Sequence, residues 1–254
     1  ITDDSTNDLI ETYVQTINDD RIKYVRNNVR LGIALNIKKA IMMSSGRYFA
    51  FLNDDDVWCE NFVEKIMSSI YDKDKIGCAF SDHWLIDSKG AVLVEESEKN
   101  TSAYKRNELS TGLIPNNLKT ELFLNFTVPV AMACIINREA VDVTDYPLEV
   151  GGAYDRWLLL QLIKHKGFNF FYVNQKLTKY RVHNQSVSAT QSVDVARAVL
   201  YILVKSKTLL KLDKGQSSRI NKEIRVYVHS LVKMRSYDCI IFMKVYFKSL
   251  LESV

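Results

Sequence analysis

The feature that most restricts the fold of this chain is a short apolar run that ends in a block of acidic side chains. Tyr48 to Leu52 (Tyr-Phe-Ala-Phe-Leu) reads as a strand buried on both faces. It stops at Asn53, Asp54, Asp55 and Asp56, followed by Val57-Trp58. Carboxylates this close repel one another, and a fold tolerates them best where a cation or ligand neutralises them. A hard divalent ion that also holds phosphate oxygens meets that need. Open α/β sheets bind ligands at the carboxyl ends of their strands, where this cluster falls. The competing reading is a solvated acidic turn whose Asp56 caps the following helix.

The surrounding pattern alternates strand and helix. Asp4 to Asp8 offer N-cap chemistry for a helix over Leu9–Ile17, and Arg21–Val25 reads as a short strand. Asn27, Asn28 and Gly32 form a loop before a helix over Ile33–Ser44, which Gly46 closes. A helix over Glu60–Tyr71 and a strand over Ile76–Ser81 continue the alternation. Asp87-Ser88-Lys89-Gly90 reads as a hairpin turn between Trp84–Ile86 and Ala91–Val94. Glu95–Thr111 is polar without periodicity and reads as a mobile connection. Val128–Ile136 is an edge-strand candidate because of Pro129. A helix over Tyr154–His165, a strand over Phe168–Val173 and a polar loop over Tyr180–Ser186 follow. From Val193 onward two or three helices break near Lys214-Gly215. This succession predicts an α/β fold with a Rossmann-like, mostly parallel sheet flanked by helices and a C-terminal helical extension.

Composition narrows the function classes. The 254 residues, 47% of them hydrophobic, suffice for a sizeable core. A net charge of +4 is too small to argue for nucleic acid as a partner. Cys59, Cys78, Cys134 and Cys239 are scattered with no C-x-x-C pair, which suits reduced thiols and a cytoplasmic location. No apolar run reaches membrane-spanning length and no signal peptide is visible.

Several motifs now fall in order: Asp3-Asp4-Ser5-Thr6-Asn7-Asp8; Asn28, Ala34 and Asn36; Gly46, Tyr48 and Asn53 to Trp58; Asp155-Arg156-Trp157-Leu158; and Tyr180-Arg181-Val182-His183. In this order they resemble the family 2 glycosyltransferases of the GT-A fold, over Asp3 to His183. The resemblance implies a GT-A domain over 1–190 and a helical extension over 191–254. It also implies that the family's first strand and helix belong before Ile1, so that the chain reads as truncated at its N-terminus. Departures from the family pattern are Asn53 in place of the first Asp of the Asp-x-Asp motif, Arg30 for a glycine, Leu35 for an arginine, and the absence of a Glu-Asp pair before the acceptor-side helix.

What the resemblance implies chemically is an inverting transfer of a sugar from a nucleotide-diphosphate donor to a hydroxyl of a glycan or lipid-linked acceptor, in cell-surface polysaccharide synthesis. Asp155 is the candidate general base, against a simple helix-start role. Donor-binding candidates are Asp3, Asp4, Asn28, Asn36, Asn53, Asp54 and Arg181, the last either neutralising phosphate or pinning its loop. Asp55 is the candidate ligand of a Mg²⁺ or Mn²⁺ ion, with His183 as a further ligand or diphosphate contact. Trp157 reads as core. His83, His165 and His229 have no supporting context.

The segment from Tyr201 to Val254 carries a net charge of +7. Its last part, Ile240 to Leu251, reads as a basic amphipathic helix suited to peripheral contact with the inner face of a membrane, or packed on the domain with its lysines in water. The alternative function is a non-catalytic sugar-nucleotide-binding module or partner subunit of an active transferase. A nucleotidyltransferase also pairs such a sheet with carboxylates, but the Tyr-Arg-x-His and Asp-x-Trp-Leu motifs favour glycosyl transfer.

Overall fold

The computed structural model describes residues 1–183 and 192–234. Its elements in chain order are β1 (Thr2–Asp3), α1 (Leu9–Thr16), β2 (Val25–Arg26), α2 (Gly32–Met43), β3 (Tyr48–Ala50), β4 (Val57–Trp58), α3 (Phe62–Ile70) and β5 (Ile76–Ile86). Then come α4 (Val94–Ala103), β6 (Gly112–Ile114), α5 (Lys119–Leu124), β7 (Cys134–Asn137), α6 (Tyr154–Lys164), β8 (Asn169–Arg181), α7 (Val193–Leu209) and α8 (Lys214–Lys233).

The principal sheet has six strands in the order β3-β7-β5-β8-β4, with β6 also on β8. Its centre is β5, buried along its length except for a half-exposed Trp84. Side chains alternate about this plane, as a strand's period of two requires. Cys78, Phe80, Cys134, Ile136, Phe170 and Tyr172 join one apolar cluster. Ala79, Ile135, Phe171 and Val173 join a second, against Phe62, Ile66 and Ile70 of α3. Those three α3 residues recur every fourth position and so share one helix face; burying each such side chain stabilises the fold by about 1.5–3 kcal/mol.

The α/β architecture is as expected, but the pairing is mixed rather than mostly parallel. β1–β2 and β5–β8 are parallel; β3–β7, β5–β7, β4–β8 and β6–β8 are antiparallel. Two of the four antiparallel pairs are on the long strand β8. Its first half takes β6 at Phe170 to Tyr172, and its last turn of chain takes β4 at Thr178 and Lys179, both antiparallel and both on the edge away from β5. β1 and β2 form their own two-stranded sheet.

Four local expectations change. The run Tyr48–Leu52 is a strand only to Ala50; Tyr48, Phe49 and Ala50 are half-buried, Phe51 is buried and Leu52 exposed. The polar stretch after Glu95 is the helix α4, because its buried face is made of hydroxyls: the Ser97 hydroxyl accepts from the Leu85 amide (2.8 Å) and Thr101 donates to Asp82 (2.6 Å). A search for apolar periodicity cannot see such a face. Of Val128–Ile136 only the end is strand, since Val130, Met132 and Ala133 bond locally to carbonyls at Val128 and Pro129. Tyr180 and Arg181 lie in β8 rather than in a loop, held by Leu85 and Ile86 of β5.

The expected boundary at residue 190 is crossed by packing. Ala196, Val199, Leu200, Ile202 and Leu203 of α7, and Ile220, Ile224, Val228 and Leu231 of α8, belong to the same apolar cluster as β5 and α6. α8 begins at a capping box, in which the Asp213 side chain accepts from the Gln216 amide and Gln216 returns a bond to the Asp213 backbone. Among the described residues, no helix is long and apolar enough to cross a membrane. Ile240 to Leu251, the expected basic amphipathic helix, lies outside the described residues.

Candidate active site

The acidic block is placed by two residues of sheet. Val57 pairs with Lys179 and Trp58 with Thr178, which folds Asn53–Asp56 back over the end of β8. Because β4 intervenes before α3, Asp56 is not a helix cap. It is buried, its Oδ1 accepting from the Arg181 amide (3.1 Å) and its Oδ2 from the Asn53 side chain (3.4 Å). Burial, and then the charges of Asp55 and Asp54, push its carboxyl up to about 6.

Asp55 faces His183 across 3.2 Å, Oδ2 to Nε2. Its backbone carbonyl accepts from Arg181 Nε (2.8 Å), while Arg181 Nη1 donates to the carbonyls of Asp87 (3.0 Å) and Ser88 (3.3 Å) in the hairpin turn. Arg181 thus ties the acidic loop to the hairpin turn through main-chain carbonyls. Asp54 is exposed on the same loop. Among the described residues, no three His, Cys, Asp or Glu side chains converge as a ready metal cage. The Asp55–His183 pair still suits a divalent ion whose remaining positions are filled by phosphate and water, since such ions are commonly held by one or two protein groups beside a phosphate.

Asp155 sits in the first turn of α6, partly buried, after a backbone reversal at Gly151 (φ 42°) that a side chain would resist. Its Oδ1 accepts from the Arg156 amide (2.7 Å). Burial raises its carboxyl above the ordinary range, opposed by that amide and by the Arg156 charge. The neighbouring Tyr154 hydroxyl donates to Asn53 Oδ1 (3.1 Å), so α6 and the acidic loop are joined directly. No sequence signal marks Tyr154, because a tyrosine at a helix start has the same pattern as core. Trp157 is core as expected, its indole N–H on the Asp145 carbonyl.

Asp3, Asp4 and Asn36 form a second network around β1 and β2. Buried Asp3 accepts from the Tyr24 hydroxyl (2.7 Å) and the Ser5 amide (2.8 Å); these outweigh burial and hold its carboxyl below the usual range. Asp4 takes the Leu31 amide (2.8 Å) and Asn27 (2.9 Å) on Oδ1 and the Gly32 amide (2.9 Å) on Oδ2, which likewise outweigh burial. The glycine this turn demands is Gly32, at φ 74°, so Arg30 at the family's glycine position leaves the turn intact. Asn36 bonds to Asn27 and to the Thr2 carbonyl. Asn27 is thus the asparagine in the network, whereas Asn28, the expected one, is exposed.

The model of glycosyl transferase family 2 matches residues 1–141, and the chain belongs to that family. Its GT-A fold is shared with S. aureus TarS, residues 1–349, solved with UDP-GlcNAc: the TM-score is 0.60 at 12% identity, over 91% of this chain and 62% of that one. Among curated relatives, a Bacillus subtilis protein named for teichuronic acid biosynthesis, the glycosyltransferase TuaG, is 28% identical over 74% of this chain and 67% of its own length. The Escherichia coli UDP-Glc:alpha-D-GlcNAc-diphosphoundecaprenol beta-1,3-glucosyltransferase WfaP is 26% identical over 78% of this chain and 70% of its own length.

Proposed function

We propose that the protein is an inverting glycosyltransferase that moves a sugar from a nucleoside-diphosphate donor to a hydroxyl of a glycan or lipid-linked acceptor in cell-surface polysaccharide synthesis. The observation that carries this reading is the junction at Asn53, where the acidic loop held by β8 meets the helix start bearing Asp155. Donor and acceptor chemistry then meet at one junction. The likeness to TuaG and WfaP supplies the choice of a surface-polymer acceptor.

In the displacement, the bond from the anomeric carbon to the diphosphate oxygen breaks, and its electron pair leaves with the nucleotide. The acceptor oxygen bonds to the same carbon from the opposite face, and its proton passes to Asp155. A carboxyl raised by burial is the stronger base for that task. Asp55 and His183 would hold Mg²⁺ or Mn²⁺, with exposed Asp54 assisting through water. The ion would supply neutralisation of the leaving diphosphate. Asn53, tied to Tyr154 and Asp56, presents a neutral amide suited to a ribose hydroxyl. Asp3, Asp4 and Asn36 serve the donor side by fixing the turn from Asn27 to Gly32, on which Asn28 stands exposed to the donor.

The second reading, a sugar-nucleotide-binding module without turnover, is favoured by the neutral Asn53 and by the commitment of Arg181 to carbonyls. Asp155→Asn separates the two. Loss of a general base costs about 10²–10⁴-fold in rate, and nucleotide affinity should hold. Turnover within a few-fold of wild type would make Asp155 a helix-start residue only. No transfer by the wild type with any nucleotide sugar it binds would favour the binding module.

A further inference from the structure

The residue after the candidate base is an arginine with its side chain in the interior. Arg156 is 3% exposed. Its guanidinium lies 4.0 Å from the centre of the Phe126 ring and 5.1 Å from that of Phe123. Both terminal nitrogens go to one carboxylate, Nη1 to Glu223 Oε1 (2.8 Å) and Nη2 to Glu223 Oε2 (2.9 Å). Glu223 comes from α8, far along the chain and outside both the motifs of the first 183 residues and the family match. A paired, stacked, buried cation beside the catalytic helix start is an expensive arrangement in stability, because its desolvation is only partly repaid. Arg156 Nε remains buried without a hydrogen-bond partner among the described residues, which adds to that cost.

We infer that Glu223 of α8 is a positioning residue for sugar transfer: by clamping and neutralising Arg156 it fixes the start of α6 and sets the charge felt by Asp155. This rests on the reading of Asp155 as base. The Arg156 amide already orients the Asp155 carboxylate, and the two residues share the same helical turn. Arg156 also favours the ionised form of Asp155 by its charge. With Glu223 ionised, much of that charge is cancelled at its source. Without Glu223 it acts undiminished, stabilises the carboxylate and weakens it as a base.

The charged groups around this pair are Arg219 and Lys222 of α8, which line one pocket with Glu223; Arg219 is itself paired with Glu121 of α5 (2.5 Å). From the segment before α6 comes Tyr146, and on α6 itself Tyr154; both hydroxyls are pushed up by burial and stay neutral. Tyr154 in turn leads to Asn53 and the Asp55–Asp56 carboxylates. On the α8 side Tyr227 faces Glu223 and Arg156, with Tyr104 beyond it, and burial raises Tyr227 too. α5 contributes Phe123, and the turn after it Phe126.

The test is Glu223→Gln in the full chain, with kcat/KM followed against pH for transfer from the nucleotide sugar that supports turnover. Removing a charge from a pair next to a carboxylate should move the acid limb down by about 0.5–1 pH unit, with kcat on the plateau a few-fold lower and donor KM unchanged. A purely structural brace predicts a lower melting temperature with the acid limb in place, and that result overturns the inference. If Glu223→Gln does not fold, Glu223→Asp withdraws the charge from the guanidinium and should move the limb less, in the same direction; an unmoved limb there overturns the inference equally. Asp155→Asn run alongside separates the two claims. If it keeps turnover and the acid limb, the assignment of the base fails. If it loses both while the Glu223 variants keep the wild-type limb, only the role of Glu223 fails.

Discussion

Two carboxylate sites at the ends of neighbouring apolar runs have been treated by this fold in opposite ways. Asp82, in the middle of β5, is 2% exposed and fully partnered: Arg106 Nε at 2.5 Å, the Thr101 hydroxyl at 2.6 Å and Lys176 Nζ at 3.2 Å. Arg106 and Thr101 outweigh burial and hold its carboxyl below the usual range. His83 beside it is pushed down by burial and by Arg106, and stays neutral. The Asp54–Asp56 loop has three carboxylates whose partners are mostly backbone groups and amides, with His183 as the imidazole facing Asp55. The first site is electrostatically finished and the second is short of positive charge. A folded protein retains such a deficit where a bound cation or ligand completes it.

The largest effect expected from this contrast is on stability. Asp82→Asn should leave Arg106 buried beside a neutral group and cost about 3–5 kcal/mol, measured by urea unfolding. A loss under 1 kcal/mol would mean the two sites are not different in kind. Asp55→Ala should do the reverse. Turnover should fall at least about 10²–10³-fold, as for removal of a group that stabilises transition-state charge, while the melting temperature stays put. Turnover that survives excess chelator in the wild type would remove the metal ion from the second site.

The smallest effect is a pH dependence. The folded carboxyl of Asp56 sits at about 6 against 3.8 for the free side chain, so its neutral form is favoured by folding. Its contribution is therefore fully present below pH 3.8 and is lost as pH rises through 6. Without added metal, the stability of wild type relative to Asp56→Asn should decline across that window by about 1–3 kcal/mol. Parallel curves for the two proteins would show that Asp56 is not strained by its neighbours.

The contrast also marks what the sequence could reveal. Both sites read alike there, as an apolar run closing on Asp. The distinction lies in Arg106, Thr101 and Lys176, which come from α4, the turn after it and β8, at separations no local pattern encodes. Legible features were those with a period or a cap: α3 by its four-residue spacing, α2 by Ala34 and Ile41, the acidic loop by composition. Illegible were the polar face of α4, the antiparallel strands on β8, and the site's ties to Tyr154 and Glu223. Each depends on a tertiary partner, and sheet pairing has no sequence signature beyond the strand itself.

One consequence of the way β8 holds the acidic loop concerns which mutations it tolerates. The bond that closes onto Asp56 comes from the main-chain amide of Arg181, and among the described residues the arginine side chain reaches carbonyl oxygens. A carbonyl will accept from any long donor, and a main-chain amide is present in every residue but one. Position 181 is therefore permissive toward chemistry and intolerant of a single backbone type. Random mutagenesis there should return active variants with Lys or Gln, weaker ones with small side chains, and none with Pro.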